Sequence, residues 1–151
     1  METGSILSKY EKKKENLLAV LQDIQGDKNY LPKEDLKKIA ENFSVPLSEL
    51  FSLATYYKSF SLKPKGKYII LVCMGTACHV RGSERILQQL ELKLGIKAGD
   101  TTSDGMFSLE TVNCLGACAL GPLVVVNSKY FGNMTTSKIG RILKEYLSGK
   151  D

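Results

Sequence analysis

The chain has 151 residues and a formal net charge of +5, with 43% hydrophobic and 25% charged residues. This composition is typical of a folded protein and excludes a disordered tail or a fibre. The longest apolar run, Tyr68 to Met74, has seven residues, whereas a membrane-spanning helix needs roughly 18 to 20. No basic and apolar leader opens the sequence, so we expect a cytoplasmic protein without a secretory signal or a direct membrane span. The positive charge is spread over both halves, and neither half is basic enough to indicate a nucleic-acid partner.

Residues 1–65 predict an all-α unit of three helices followed by a linker. The first helix is expected to end at Gly26, while Pro32 and Pro46 stand in the first turns of the next two helices, where proline is tolerated. The lysine-rich segment 58–67 contains helix-breaking residues and indicates a connector. The apolar residues that define the three helix faces are Tyr10, Leu17, Leu21 and Ile24; Leu36, Ile39, Ala40 and Phe43; and Leu47, Leu50, Phe51, Ala54 and Tyr57.

Residues 66–151 predict an α/β domain with a small sheet covered by two helices. Tyr68 to Val72 is a short β-branched strand that ends on Cys73. A helix begins at Gly82 or Ser83 and stops at Gly95, and a last helix begins at Thr136 or Ser137. The further segments predicted as strands are Ile96 to Ala98, Met106 to Val112, Leu123 to Val126 and Lys129 to Phe131, the last two joined as a hairpin.

All four cysteines lie in this second domain, in two close pairs, Cys73-x4-Cys78 and Cys114-x3-Cys118. In a reducing cytosol, closely spaced cysteines are more often metal ligands than disulfides. Each pair falls in or next to a loop that follows a predicted strand. Two loops at the same strand ends are able to converge on one metal centre.

The ligand type alone does not choose the metal, because thiolates suit zinc, mononuclear iron and iron–sulfur clusters. Structural zinc sites commonly use two-residue gaps, whereas a gap of four recurs in plant-type [2Fe-2S] proteins. A Rieske centre needs two histidines and the chain has only His79, the two-residue gaps usual for [4Fe-4S] sites are missing, and a thioredoxin-type C-x-x-C pair is absent. The residues therefore favour [2Fe-2S], with zinc and a disulfide or other redox pair as open alternatives. The loops also hold small residues that let backbone N–H groups approach the sulfurs, namely Gly75, Thr76, Gly116, Ala117 and Gly121.

The strings VCMGTACHVRG, from Val72 to Gly82, and CLGACALGPLVVVN, from Cys114 to Asn127, closely resemble the thioredoxin-like [2Fe-2S] ferredoxin family. This family includes the 24 kDa-type subunit of respiratory complex I and related subunits of NAD(P)-linked hydrogenases and formate dehydrogenases. The segments 31–32 and 54–67 and the series Tyr130, Gly132, Thr135 and Lys138 resemble it as well, so the likeness covers almost the whole chain. Gly121 departs from the pattern, since many relatives carry alanine before the proline.

The resemblance implies a thioredoxin-like βαβββα-type domain, residues 66–151, preceded by an all-α N-terminal helical bundle. It also implies that four thiolates hold a single [2Fe-2S] cluster. The implied cluster ligands are Cys73, Cys78, Cys114 and Cys118.

A cluster with four protein ligands has no open position for a substrate, so it transfers one electron at a time by an outer-sphere route. We therefore expect no catalytic residue and no substrate turnover by the chain alone. The resemblance implies a larger iron–sulfur partner subunit whose flavin exchanges electrons with the cluster, and a further catalytic subunit of the hydrogenase or formate dehydrogenase type. The dinucleotide fingerprint GxGxxG is absent, so FMN and NAD(H) are expected on the partner.

The string GTACHVRG is more similar to the soluble hydrogenase branch, which includes electron-bifurcating hydrogenases, than to the respiratory branch. The predicted function is therefore a [2Fe-2S] electron-transfer subunit of an NAD(P)H-dependent oxidoreductase, in a soluble hydrogenase complex. One alternative is a subunit of the complex I 24 kDa type or of the formate dehydrogenase gamma type. An alternative of another class is a four-cysteine zinc module that organises a complex without redox activity.

Several side chains near these motifs have a structural and a functional interpretation. We expect His79 to be exposed or packed in its loop rather than to tune the cluster. Arg81 is expected to be solvated, the alternative being that it neutralises cluster charge or docks a partner. The aromatic group Tyr56, Tyr57 and Phe60, with Phe51, is expected in the core of the helical bundle.

Overall fold

The computed structural model describes residues 2–149, and these divide into two compact units with the boundary between Lys65 and Gly66. The first unit is entirely helical and the second contains the sheet. Within the described residues, no helix is long and apolar enough to cross a membrane.

The first unit contains helices α1 (Thr3–Leu7), α2 (Leu17–Lys28), α3 (Lys33–Phe43) and α4 (Leu47–Tyr56), with a 3-10 turn at Lys14–Asn16. Each longer helix buries one apolar face, as the sequence predicted, because apolar residues recur every three or four positions. The fully buried large side chains of this core are Ile6, Val20, Leu21, Ile24, Leu31, Leu36, Ile39 and Leu50.

The prediction of three helices was wrong, since residues 2–65 contain four α-helices. Helix α2 begins only at Leu17, because the charged run before it offers no apolar side chain to bury, although Tyr10 still packs against the core and its hydroxyl donates to Asp23 at 2.9 Å. Gly26 does not end α2. The helix continues to Lys28 and ends where Asn29 adopts a left-handed conformation with φ 63°.

The second unit is built on a mixed four-stranded sheet in the order β2-β1-β3-β4. Its strands are β1 (Tyr68–Cys73), β2 (Phe107–Val112), β3 (Val124–Val126) and β4 (Lys129–Phe131). Strand β1 pairs in parallel with β2 and antiparallel with β3, and β3 and β4 form the predicted hairpin. Strand β1 therefore has hydrogen-bonded neighbours on both sides. Its side chains are buried or half-buried along its whole length, which agrees with its continuous apolar run.

Helices α6 (Ser83–Leu94) and α7 (Thr136–Leu147) pack against this sheet. Gly95 ends α6, as the sequence predicted, and it adopts a left-handed conformation. The element order confirms the α/β class and the thioredoxin-like βαβββα domain that follows a helical region. The core between helices and sheet includes Tyr68, Ile70, Val72, Ile86, Leu90, Phe107, Leu109, Val124, Val126, Ile139, Leu143 and Tyr146.

Two local predictions in this unit were wrong. Ile96 to Ala98 is not a strand, because the Ala98 N–H donates to the Glu91 carboxylate at 3.1 Å instead of to a neighbouring strand. The segment after β1 is not only a loop, since Thr76–Val80 forms the short helix α5. Five residues are too few to show a helical period in the sequence.

Candidate metal centre

The two cysteine pairs start from the same edge of the sheet. Cys73 is the last residue of β1, and its partner in the register is Val112, the last residue of β2. Because these strands are parallel, the chain leaves both of them at one edge. The contact continues beyond the strands, where the Met74 N–H donates to the Val112 carbonyl at 2.7 Å. We call residues 74–82 the first cysteine loop and residues 113–121 the second cysteine loop.

Each pair of thiols comes together, one inside the protein and one at its surface. Cys73 and Cys78 are each only 2% exposed, and they lie close enough for each thiol to shift the pKa of the other. Cys114 and Cys118 are exposed, and their Sγ atoms lie 3.9 Å apart. All four are free cysteines. The structure thus contains no disulfide bond among these four residues.

The sulfurs are arranged as two pairs. Within residues 2–149, no three His, Cys, Asp or Glu side chains are grouped as ligands of a single ion. A [2Fe-2S] cluster takes two cysteines on each of its two irons. Two thiol pairs on adjoining loops are therefore a donor set that fits such a cluster.

Backbone groups of both cysteine loops point at the sulfurs. Burial raises the pKa of the Cys73 thiol, but N–H groups of Gly75 and Leu115 and the Cys78 thiol hydrogen-bond to it, and the net result is a pKa below its usual range. The Gly116 N–H donates to Cys114 Sγ at 3.3 Å. Two of these donors, Gly75 and Gly116, are among the small residues that the sequence predicted for this role, whereas Leu115 was not predicted. Such donors stabilise thiolate charge and tune the potential of a bound cluster.

The thiols of the two loops also act on each other electrostatically. The pKa of Cys78 is raised, chiefly by burial, then by its hydrogen bond with Cys73 and by the charges of Cys73 and Cys118. The pKa of Cys118 is raised chiefly by its hydrogen bond with Cys114 and by that group's charge, with a contribution from Cys73. Several thiolates held this close repel one another, and bound iron offsets that repulsion with positive charge.

Two glycines allow the cysteine loops to approach each other. A Cβ atom added to Gly75 would lie 2.4 Å from the Asn113 carbonyl oxygen of the second loop. A Cβ atom on Gly121 would lie 3.0 Å from Cys78 Sγ. Any side chain at Gly75 would therefore force the two loops apart, whereas at Gly121 it would press on a sulfur.

The remaining residues of interest were predicted with mixed success. His79 is exposed, as expected. Arg81 is not simply solvated, because its guanidinium donates to backbone carbonyls of the second cysteine loop. Of the aromatic group, Phe60 is buried in the helical core and Phe51 packs against it. Tyr56 is 81% exposed and Tyr57 is 39% exposed, so the prediction of a core position was wrong for both tyrosines. Only the three-dimensional fold reveals the reach of Arg81, since no local pattern links it to residues nearly forty positions away.

The family of thioredoxin-like [2Fe-2S] ferredoxins matches this chain over residues 3–147. The NADP-reducing hydrogenase subunit HndA of Solidesulfovibrio fructosivorans is 39% identical over 145 residues, covering 96% of this chain and 85% of that protein. A subunit of the NADH-quinone oxidoreductase of Aquifex aeolicus is 36% identical over 137 residues, covering 91% of this chain and 86% of that protein.

The fold also matches a solved structure, an NAD+-reducing [NiFe]-hydrogenase in the air-oxidized state. The TM-score is 0.75 at 21% sequence identity, over 89% of this chain and 23% of the hydrogenase chain. The chain thus spans about a quarter of that hydrogenase chain, and the likeness concerns the fold.

The thioredoxin-like fold and the paired thiols define an iron–sulfur electron-transfer protein. The chain belongs to the thioredoxin-like [2Fe-2S] ferredoxin family, which its match over residues 3–147 shows. Its relatives are subunits of oxidoreductases, in both hydrogenases and NADH-quinone oxidoreductases.

Proposed function

We propose that Cys73, Cys78, Cys114 and Cys118 bind one [2Fe-2S] cluster, and that the chain acts as an electron-transfer subunit without a catalytic residue of its own. The observation that carries the proposal is the convergence of two thiol pairs on loops that follow two parallel strands. When bound, the cluster supplies one-electron, outer-sphere transfer. The residues of the chain fix the thiolates and supply N–H donors to them.

Two of the four thiols are buried and two are exposed, which supports the proposal that the chain exchanges electrons at its surface. Cys73 and Cys78 are buried, so one side of the site is shielded from water, whereas Cys114 and Cys118 leave the other side open. A partner is able to approach that open side closely. A substrate has no free coordination position, because four cysteines complete both irons.

The surface near the cysteines supports a docking partner. Val80, two residues after Cys78, is 80% exposed, and Leu120, two residues after Cys118, is 45% exposed. Each of these apolar side chains follows a proposed cluster ligand by two residues, and apolar surface beside such a site is where we propose that a partner docks. The partner we propose is a larger iron–sulfur subunit that binds FMN and NAD(P)H, with its flavin exchanging electrons with this chain in a cytoplasmic complex.

Among the possible complexes, we favour a soluble NAD(P)-linked hydrogenase. This class includes electron-bifurcating enzymes. The hydrogenase relative is 39% identical to this chain, whereas the NADH-quinone oxidoreductase subunits are 32% to 37% identical. The difference supports a further subunit of the hydrogenase type. A complex I 24 kDa-type subunit is the second candidate, since those relatives cover a similar share of the chain.

Purification without oxygen, followed by iron and acid-labile sulfide analysis, tests the cluster. We expect about two irons and two sulfides per chain and an EPR signal of S = 1/2 after reduction with dithionite. Replacing Cys73 or Cys114 by alanine should abolish the signal, while Ser128→Ala, an exposed turn residue, serves as the control. Stoichiometric zinc without sulfide would instead establish the zinc module.

Affinity purification of the chain from its own host tests the partner. We expect a flavoprotein that oxidises NADH or NADPH to copurify, and the hydrogenase assignment requires a hydrogenase subunit in the same complex. A chain that carries the cluster but has no flavoprotein partner would be a free-standing ferredoxin. A quinone-reducing complex in the preparation would establish the second candidate.

A further inference from the structure

Arg81 lies three residues after Cys78, and its guanidinium reaches across to the second cysteine loop. The Nη1 atom lies 3.2 Å from the carbonyl oxygen of Cys118, 3.0 Å from that of Ala119 and 3.5 Å from that of Gly121. Cys118 and Ala119 belong to the 3-10 turn Cys118–Leu120, and Gly121 ends it. A single side chain of the first loop thus contacts three backbone carbonyls around Cys118.

The backbone of Arg81 lies at the junction of two helices, directly after α5 and separated from the start of α6 by one residue. Its N–H donates to the Ala77 carbonyl of α5 at 3.3 Å. The next residue, Gly82, has φ 99° and directly precedes α6. Helix α6 is anchored in the core through Ile86 and Leu90. The side chain of Arg81 is exposed, and it extends from this junction to the second cysteine loop.

Arg81 supplies donors to carbonyls at the end of a helical turn, where partners within the turn run out. The Cys118 carbonyl also accepts from the Gly121 N–H at 3.2 Å, so the Ala119 and Gly121 carbonyls depend most on Arg81. The Asn133 N–H donates to the Leu120 carbonyl at 2.7 Å. Arg81 serves the carbonyls of Cys118, Ala119 and Gly121. Hydrogen bonds from a charged donor are stronger than neutral ones.

We propose that Arg81 is a positioning residue for Cys118, and that it fastens the second cysteine loop to the first through these carbonyls. This inference deepens the proposed function and rests on it, because it assumes that Cys118 is a ligand of the cluster. Arg81 itself contacts backbone oxygens and not the sulfurs. Without it, the exposed thiol of Cys118 is carried by a loop that has lost its contact with the rigid end of α5.

The first test uses the protein without a cluster and measures amide hydrogen exchange residue by residue. Arg81→Met removes the donor and the charge at nearly the same length. We expect the amides of Gly121 and Asn133, which close the second loop, to exchange about tenfold faster, while the amides of β1 keep their rate. Arg81→Lys restores a charged donor, so its exchange rates should lie between those of the wild type and those of Arg81→Met. Arg85→Met, which removes an exposed charge four residues further on, should change nothing.

The second test uses the reconstituted protein and follows the loss of visible absorbance in the presence of an iron chelator. We expect Arg81→Met to lose its cluster about tenfold faster than the wild type, with shifted EPR g values, and Arg85→Met to match the wild type. The difference should persist in 1 M salt, where charges act over only about 3 Å. A difference that vanishes in 1 M salt would mean that Arg81 acts by charge alone, which overturns the proposal.

The two tests separate failure of this proposal from failure of the proposed function. If the wild type binds no iron or sulfide, the proposed function fails, and the exchange rates of the cluster-free protein still decide whether Arg81 fastens the loop. If the wild type binds its cluster but Arg81→Met matches it in both tests, the role of Arg81 is refuted. An equal rise in exchange at the second loop and at β1 would also refute it, because that result means a general loss of stability.

Discussion

Gly75 offers the sharpest test of how the two cysteine loops are joined. A Cβ atom there would lie 2.4 Å from the Asn113 carbonyl oxygen, and ordinary contacts begin at 3.4 Å, so Gly75→Ala has to separate the loops by about 1 Å. Overpacking of this kind costs about 1–3 kcal/mol. We expect the free energy of unfolding of the second unit to fall by that amount and the cluster to be lost faster.

Gly140→Ala is the matched control, because it adds the same methyl group in the same unit. Gly140 lies inside α7, where the new Cβ atom meets only the Lys93 ammonium end at 3.6 Å, an ordinary contact with a flexible side chain. Alanine is the better helix former by roughly 0.5–1 kcal/mol, so this variant should be more stable.

Hydrogen exchange of the β1 amides measures both variants, since β1 is hydrogen-bonded on both sides and reports the opening of the whole unit. The β1 amides should exchange faster than wild type in Gly75→Ala and more slowly in Gly140→Ala. Equal stability and equal cluster lifetime in Gly75→Ala and the wild type would refute the close approach of the loops.

Three further changes test other parts of the structure. Burial raises the pKa of Asp35, but hydrogen bonds from Lys28 and Thr3 outweigh this effect and leave the pKa below its ordinary value of 3.8. The ionised carboxylate therefore stabilises the fold fully above the unfolded pKa, near 4, and this contribution is lost as the pH falls through the folded pKa. Asp35→Asn should cost about 1–3 kcal/mol at pH 7 and flatten the acid side of a curve of melting temperature against pH. Ser108→Ala removes the oxygen that accepts the buried Gly66 N–H at 2.7 Å, and calorimetry should show a loss of about 1–3 kcal/mol. Gly121→Ala, whose Cβ atom would lie 3.0 Å from Cys78 Sγ, should keep two irons but shift the EPR g values.

The parts of the fold that could be predicted from the sequence are those with a strong local pattern. The ends of β1 are as predicted, because Tyr68 to Cys73 is a continuous apolar run with loop residues on both sides. The interruption at residues 8–13 was missed, because Tyr10 and Leu17 are seven residues apart and so fit one helical face, although residues 11–16 between them are charged or polar. Helix α5 was missed because it is too short to show a period.

The sequence predicted which residues form the candidate site and how they are spaced, but it did not predict the geometry of the site. The spacing indicated that two pairs of thiols converge, but whether a thiol is buried depends on the packing around it. The Leu115 N–H donor and the Asn113 carbonyl act through the backbone, so their side chains give no signal of the contact. The contact of Arg81 with the second loop joins residues 37 to 40 positions apart.

The parallel pairing of β1 and β2 explains why this fold suits a two-loop site. In an antiparallel pair, the loops that follow two neighbouring strands leave at opposite ends, and the thiols after them would lie a strand length apart. Here Cys73 and Val112 end their strands side by side, so both cysteine loops start from neighbouring positions at one edge of the sheet. Gly75 then lets the two cysteine loops touch at Asn113, and Arg81 of the first loop donates to backbone carbonyls of the second. Helices α5 and α6 connect β1 to β2, and the parallel register of the two strands fixes the starting point of each cysteine loop.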